Sequence, residues 1–226
     1  PKNPFAAEAL LWATRAAMAD GDFAHAIKLA SSLVERYPGS KVQSAALLVQ
    51  SEALMELARY DESVLVLERV AISELSDKAQ RMRAQMLKAD ALFAMGADNP
   101  ARYHAALEGY RQVAFGEQLG PSERITVAFR IGRVLEKLKR HSEAVDQYYT
   151  QVVLSYIDGR SRNERYDDEA RAAFLKAAFR LADEFESRGR DEQALAVLRL
   201  VVASDLPAGE EAQRRIRRIS TKGRFL

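Results

Sequence analysis

Five short segments with a shared residue pattern constrain the fold of this chain more than any other feature. They begin near Gly21, Ala58, Tyr103, His141 and Gly189, and the clearest reads Gly21-Asp22-Phe23-Ala24-His25-Ala26-Ile27. Each joins the end of one helical pattern to the start of another, with a small residue early in the second pattern. The five segments therefore predict five helix-turn-helix corners.

Two sets of small residues accompany the corners. One set opens the second helices: Ala26, Ser63, Ala106, Ala144 and Ala194, separated by 37, 43, 38 and 50 residues. The other set lies in the first helices: Thr14, Ser51, Ala89, Gly132 and Ala182. Antiparallel helices approach closely only where neither carries a bulky side chain, so the two sets are predicted to face each other.

These corners resemble those of the tetratricopeptide repeat family, whose unit of about 34 residues places a Gly-Asp-Tyr-x-x-Ala corner between two helices. The resemblance covers nearly the whole chain, and the units carry insertions of 3, 9, 4 and 16 residues. Tyr37-Pro38-Gly39-Ser40 closes the first unit, because proline cannot continue a helix, and Ile131-Gly132 is similar to the family's Leu-Gly pair. Ala58 and Lys139 replace the corner glycine, which leaves the backbone geometry open at those two corners.

The resemblance implies an all-α solenoid of about five degenerate helix pairs, followed by a C-terminal capping helix. The low content of Gly (11) and Pro (6) agrees with helices joined by short turns. We expect helices near 4–19, 23–37, 41–57, 61–73, 76–95, 101–115, 122–138, 141–157, 167–188, 191–203 and 208–219. A polar loop from Asp158 to Arg165 is expected, with 158–166 the flexible point of a single domain spanning residues 1–226.

Charge and composition argue against several classes of protein function and site. The net charge of +2, from 34 basic and 32 acidic side chains, lacks the footprint of a nucleic-acid-binding protein. The absence of cysteine excludes disulfides and Cys-based zinc sites, and no apolar run reaches the roughly 20 residues of a membrane-spanning helix. Because the chain begins at Pro1 without an initiator Met or a signal peptide, we expect a processed product or a piece of a longer protein.

Little in the sequence points to catalysis. The three histidines, His25, His104 and His141, all fall at corners, where we expect them to be exposed. There is no Gly-rich phosphate loop and no histidine pair with metal spacing. We therefore predict a protein that is not an enzyme, with no cofactor and no metal.

The resemblance also implies that the first helix of each pair lines a concave groove. The predicted protein-binding residues are Leu11, Arg15, Leu48, Glu52, Met55, Met86, Asp90, Phe93, Phe129, Arg133, Phe179 and Asp183. An apolar row beside a charged row suits a helix or extended peptide of a partner protein. The alternative is that the apolar row is packing, and that Arg15 with Glu52 and Asp90 with Arg133 are solvated ion pairs.

Some family members grip a C-terminal carboxylate with Lys and Asn. Leu11 and Arg15 stand at the equivalent positions here, which argues against that type of clamp. The family resemblance therefore predicts groove binding without a carboxylate anchor.

The C-terminal segment from Leu206 to Leu226 is locally basic, with Arg214, Arg215, Arg217, Arg218, Lys222 and Arg224 against Glu210 and Glu211. A capping helix would place Ile216 and Ile219 inward and arginines outward. The alternative is a surface for an acidic protein, an anionic membrane or RNA, although stacking aromatic residues are missing.

The sequence thus predicts a non-catalytic protein-protein interaction scaffold with an unidentified protein partner. The alternatives are an adaptor that uses the basic C-terminal helix to bind nucleic acid or an acidic partner, a regulatory domain of a larger protein, and self-association. A weaker similarity to tetratricopeptide proteins of the bacterial envelope implies a periplasmic location, with a cytoplasmic one as the alternative.

Overall fold

The structure, a computed structural model, describes residues 5–116 and 119–222, and for Lys222 only the backbone. Within these residues the chain is helical and contains no β-strand. The helices follow one another in packed pairs, which confirms the predicted all-α repeat architecture. The chain divides into two compact units between Val113 and Ala114. The expected single domain over residues 1–226 stays a prediction.

The first unit is built from α1 to α5 and most of α6. Their bounds are α1 Ala6–Ala19, α2 Phe23–Arg36, α3 Gln43–Glu56, α4 Tyr60–Ile72, α5 Lys78–Met95 and α6 Ala101–Phe115. Each helix from α1 to α4 packs on the next one, and α3 also contacts α1 and α5. The first helices of the pairs therefore lie side by side, as a repeat array requires.

The second unit continues the pairing with one irregular element. Its bounds are α7 Pro121–Lys137, α8 His141–Asp146, a π-helical segment Gln147–Leu154, α9 Ser155–Ser161, α10 Asp168–Ser187, α11 Asp191–Ala203 and α12 Gly209–Lys222. The π-helical segment and α10 both pack on α7, while α11 packs on α10 and α12 on α11. The helix from His141 to Ser161 is thus continuous but widened at its centre.

Both sets of small residues lie at the helix contacts, as predicted. All ten are buried. In the second pair the Ser63 hydroxyl donates to the Ser51 carbonyl at 3.1 Å, so the two positions face each other. In the fourth pair a Cβ on Gly132 would overlap the Tyr148 ring, so glycine is needed for that contact.

The two corners without glycine keep the left-handed backbone of the glycine corners. Ala58 has φ 56° and Lys139 has φ 62°, beside 77° at Gly21 and 67° at Gly189. In both corners the next residue is an N-cap arginine that pairs with a glutamate three residues on, Arg59 with Glu62 and Arg140 with Glu143, at 2.6 Å. Ala58 and Lys139 in place of the corner glycine therefore add backbone strain but leave the geometry of the corner unchanged.

The predicted polar loop from Asp158 to Arg165 is partly wrong. Residues 158–161 belong to α9, and Gly159 is buried beneath Tyr166 and Glu164. Arg160 donates to the Ser204 carbonyl, and Arg124 pairs with Glu164 at 3.1 Å. These tertiary contacts outweigh the polar composition that suggested a loop, while the flexible point at 158–166 stays a prediction.

Candidate protein-binding surfaces

A cleft of about 420 Å³ opens on the first unit where α1, α3 and α5 lie side by side. Its lining residues are Arg15, Met18, Ala45, Leu48, Val49, Glu52, Gln80 and Arg83. The middle helix supplies the apolar floor, and the charged and amide groups come from all three helices. The cleft therefore offers an apolar anchor site with polar groups around it.

The two arginines that line the cleft differ in whether they have a carboxylate partner. Arg83 donates to the Glu52 carboxylate, with Nη2 and Oε1 2.5 Å apart. Arg15 instead lies over the Trp12 ring, 5.6 Å from its centroid, and forms no ion pair within the described residues. The Arg15–Glu52 pair considered from the sequence is thus replaced by Glu52–Arg83, and Arg15 remains available to an acidic group.

The remaining predicted residues of the first unit are not among the lining residues of this cleft. Leu11 is only 6% exposed and packs in a core cluster with Leu33 and Ala46. Asp90 accepts a hydrogen bond from the Tyr110 hydroxyl at 2.5 Å. Phe93 lies against Tyr103 with ring centroids 5.5 Å apart, while Met55 and Met86 are half-buried. Leu11 therefore serves packing, as the alternative interpretation of the apolar row supposed.

In the second unit the predicted residues are largely engaged. Phe129 is 8% exposed and packs on Tyr148, and Arg133 is exposed. The Arg215 guanidinium of α12 lies 5.6 Å from the Phe179 ring centroid and also pairs with Asp183. The last helix thus contacts both predicted residues, but Phe179 is only half-buried and the Asp183 side chain stays 68% exposed. Ligand binding at these residues stays a prediction.

Five lining residues of the cleft are absent from the predicted binding set: Met18, Ala45, Val49, Gln80 and Arg83. Arg83 stands three residues before Met86, and Gln80 three residues before Arg83, so helical spacing places both on the groove face. Extending the predicted rows by one turn toward the helix start would have found them. Val49 neighbours Leu48, and no spacing signal marks it.

Helix α12 caps the array and carries most of the basic C-terminal residues. Ile219 is buried, Ile216 is half-buried, and Arg214, Arg217 and Arg218 are exposed, as the capping interpretation predicted. Arg215 departs from that prediction, because its side chain is only 13% exposed. Arg224 and the Lys222 side chain lie outside the described residues. Between α11 and α12 runs an apolar groove of about 380 Å³, with Arg199 and Arg217 among its lining residues. The cap therefore leaves one apolar surface uncovered.

Neither a metal site nor a membrane span is found in the described part of the chain. No three His, Cys, Asp or Glu side chains cluster there in a way that could hold a metal ion. No described helix combines the length and apolar character needed to cross a membrane.

Comparison with known proteins identifies the repeat type. Residues 8–40 match the tetratricopeptide repeat family, a range that covers α1, α2 and the Tyr37–Ser40 closure. Similar solved structures include the nearly identical TPR-like repeats of a candidate kinesin light chain from Podosopora anserina. That structure has a TM-score of 0.63 and 17% identity over 99% of both chains. A point variant of the same repeats has a TM-score of 0.61 and 17% identity, covering 97% of this chain and 96% of that one.

A search of curated proteins found no match. The similar structures named here do not connect the chain to the bacterial envelope, so the periplasmic location stays a prediction. Tetratricopeptide repeats are generally protein-protein interaction modules and are typically non-catalytic. The first helix pair of the chain therefore matches the tetratricopeptide repeat family in sequence, and the chain as a whole has a TPR-like helical repeat fold.

Proposed function

We propose that this protein is a non-catalytic scaffold that holds a peptide or helix of a partner protein in the cleft between α1, α3 and α5. The observation that carries the proposal is the lining of that cleft, in which the half-buried Met18 and Val49 provide apolar surface beside Arg15, Glu52 and Arg83. A volume of about 420 Å³ suits one or two apolar side chains of a bound segment.

The two sides of the cleft favour a defined ligand chemistry. Glu52 is already neutralised by Arg83, whereas Arg15 has no carboxylate partner among the described residues. A segment with a bulky apolar residue and a nearby acidic residue would fill the floor and pair with Arg15. Met18 adapts its shape at low cost, which suits partners with different apolar anchors.

Peptide selection from a random display library tests the proposal while the natural partner is still unidentified. Selected peptides should be enriched in apolar residues followed or preceded by Asp or Glu. Met18→Glu should weaken their binding at least about tenfold, because a carboxylate replaces an apolar contact beside the anchor. Leu65→Glu on the exposed face of α4 introduces the same charge outside the cleft and should leave affinity unchanged. Equal binding to both variants would place the site elsewhere.

Methionine methyl NMR then locates the bound peptide directly. The chain has 5 methionines, Met18, Met55, Met82, Met86 and Met95, and Met18 alone among them lines the cleft. Peptide binding in the cleft should shift the Met18 methyl resonance most. A larger shift at Met95 than at Met18 would contradict the assignment.

A second binding surface is supported by the groove between α11 and α12. Its walls are apolar, and Arg199 and Arg217 form no ion pair within the described residues. We propose an acidic amphipathic helix as its ligand, since an apolar stripe would enter the groove and carboxylates would meet both arginines.

A synthetic helix with a leucine stripe flanked by glutamates should bind, and the same helix with lysines in place of the glutamates should not. Arg217→Glu should abolish binding of the first peptide, whereas Arg69→Glu on α4 should not.

A further inference from the structure

The outer face of α1 is the most aromatic exposed surface of the first unit. Phe5 and Trp12 are 72% and 68% exposed, and Ala9, Ala16 and Ala19 on the same helical face are also exposed. With 3.6 residues per turn, these residues form one stripe along the helix. An isolated exposed aromatic residue is ordinary, but an apolar stripe of this length on one helix indicates a contact surface.

Two opposite charges border this stripe on one side. Glu8 and Arg15 are two helical turns apart, and the midpoint between them lies within one residue of Trp12. Neither forms an ion pair within the described residues, and one carboxylate oxygen of Glu8 is shielded from solvent without a hydrogen-bond partner. The Arg15 guanidinium and the other Glu8 carboxylate oxygen would therefore gain from partner groups brought to this edge. Because Arg15 also borders the cleft, a dimer contact and an acidic cleft ligand would compete for it.

The positions of the charges specify which partner fits. In an antiparallel helix pair related by a two-fold axis, the same edge of both helices lies on one side of the interface, and residues before the axis meet residues after it. An axis at Trp12 places Glu8 of one copy opposite Arg15 of the other, twice. A stripe that bound an unrelated helix or a lipid surface would have no need for opposite charges placed symmetrically about its centre.

We propose that α1 mediates a two-fold antiparallel dimer of this protein, with Trp12 at the axis and two Glu8–Arg15 pairs across it. The alanines at 9 and 16 let the helix backbones approach, and the Trp12 rings of the two copies bury each other. A single helix pair covers less surface than the roughly 800 Å² per partner of a standard interface. The dimer therefore forms in a concentration-dependent way and dissociates on dilution.

Charge reversal tests the proposed dimer, because a variant that has lost its fold could not regain the dimer when opposite charges are restored. Glu8→Arg alone sets two guanidinium groups against each other in both pairs, and Arg15→Glu alone sets two carboxylates against each other. Each single variant should therefore be monomeric in sedimentation velocity. A 1:1 mixture of the two variants restores opposite charges at both pair positions of the mixed dimer, and the double variant does so in a dimer of identical chains. Both should therefore recover the dimer. Arg69→Glu on α4 should leave wild-type association unchanged.

Trp12 supplies an independent readout because it is the single tryptophan of the chain. Its fluorescence emission should shift to shorter wavelength as the concentration of the wild-type protein rises. Among substitutions at this position, Trp12→Asp should abolish the dimer, whereas Trp12→Phe should not. Circular dichroism confirms that each variant is folded. The proposal is wrong if the wild type stays monomeric up to about 0.5 mM, well above typical weak-complex dissociation constants. It is also wrong if the single reversals still dimerise, or if the double variant does not.

Discussion

The left-handed backbone at Ala58 and Lys139 stores strain in two helix corners. Non-glycine residues at φ near 60° cost about 1 kcal/mol or more relative to glycine. Ala58→Gly and Lys139→Gly should therefore each raise the free energy of unfolding by about 0.5–1 kcal/mol, after the entropy of the added glycine is subtracted. Chemical denaturation measures this change.

Gly21 provides the matched control for the corner prediction. It has φ 77°, and no heavy atom lies within 4 Å of the position that a Cβ would take, so Gly21→Ala changes only backbone strain. That variant should be destabilised by about 1 kcal/mol. Destabilisation by both Ala58→Gly and Gly21→Ala would mean that the corners do not share one conformation.

Gly132 permits the close approach of α7 to the π-helical segment. A methyl group there would overlap the Tyr148 ring, so Gly132→Ala must displace a side chain that is 2% exposed. We expect a loss of about 1–3 kcal/mol in unfolding free energy, in spite of the higher helix propensity of alanine. Gly209→Ala at the start of α12, where the nearest atom is 4.0 Å away, is the control and should be neutral or stabilising.

At the scale of elements, the docking of α12 depends on Glu186. Arg215 and Arg218 both donate to its carboxylate, at 2.6 and 2.8 Å. Burial opposes ionisation of this group, but the hydrogen bonds from the two arginines outweigh it and lower the pKa of Glu186. A lowered pKa in the folded state stabilises the protein above the unfolded value and loses that effect as the pH falls through the folded value.

Glu186→Gln should therefore destabilise the protein at neutral pH by about 1–2 kcal/mol. The difference from wild type should shrink below about pH 4, where the wild-type carboxylate also becomes protonated. Hydrogen exchange of the α12 amides at pH 7 should be faster in the variant than in wild type. A difference that stays constant between pH 7 and acid would show that the charge on Glu186 does not hold the helix.

Most helices could be predicted from the sequence because their signals are local. Asp22 caps α2 by accepting from the His25 amide at 3.0 Å, and Asp77 and Gln80 form a capping box at the start of α5. The continuation of α9 to Ser161 could not be predicted in this way. It depends on Tyr166 and Glu164 covering Gly159, and these contacts form only when the following segment folds back.

At the scale of the whole molecule, the repeat register identified the groove face but not which part of it is open. Arg15 lines the cleft as the register predicted. Leu11 and Leu48 share one row and are both core residues, 6% and 7% exposed, although Leu48 also borders the cleft. Arg215 of α12 lies over the half-buried Phe179 ring and pairs with Asp183, whose side chain stays 68% exposed. Burial by a neighbouring helix is a tertiary property, so a row defined by spacing along one helix cannot reveal it.

The division of the chain between Val113 and Ala114 leads to a final prediction. The core clusters around Leu33 and around Leu47 and Leu67 lie entirely within the first unit, and so does the proposed cleft. Each repeat packs on its neighbours, so a chain ending at Val113 should keep helical circular dichroism and unfold cooperatively. It should bind cleft-selected peptides within about threefold of the full chain, equivalent to under about 1 kcal/mol. Loss of cooperative unfolding would instead show that residues 1–226 fold as one domain, the expectation drawn from the continuous repeat pattern.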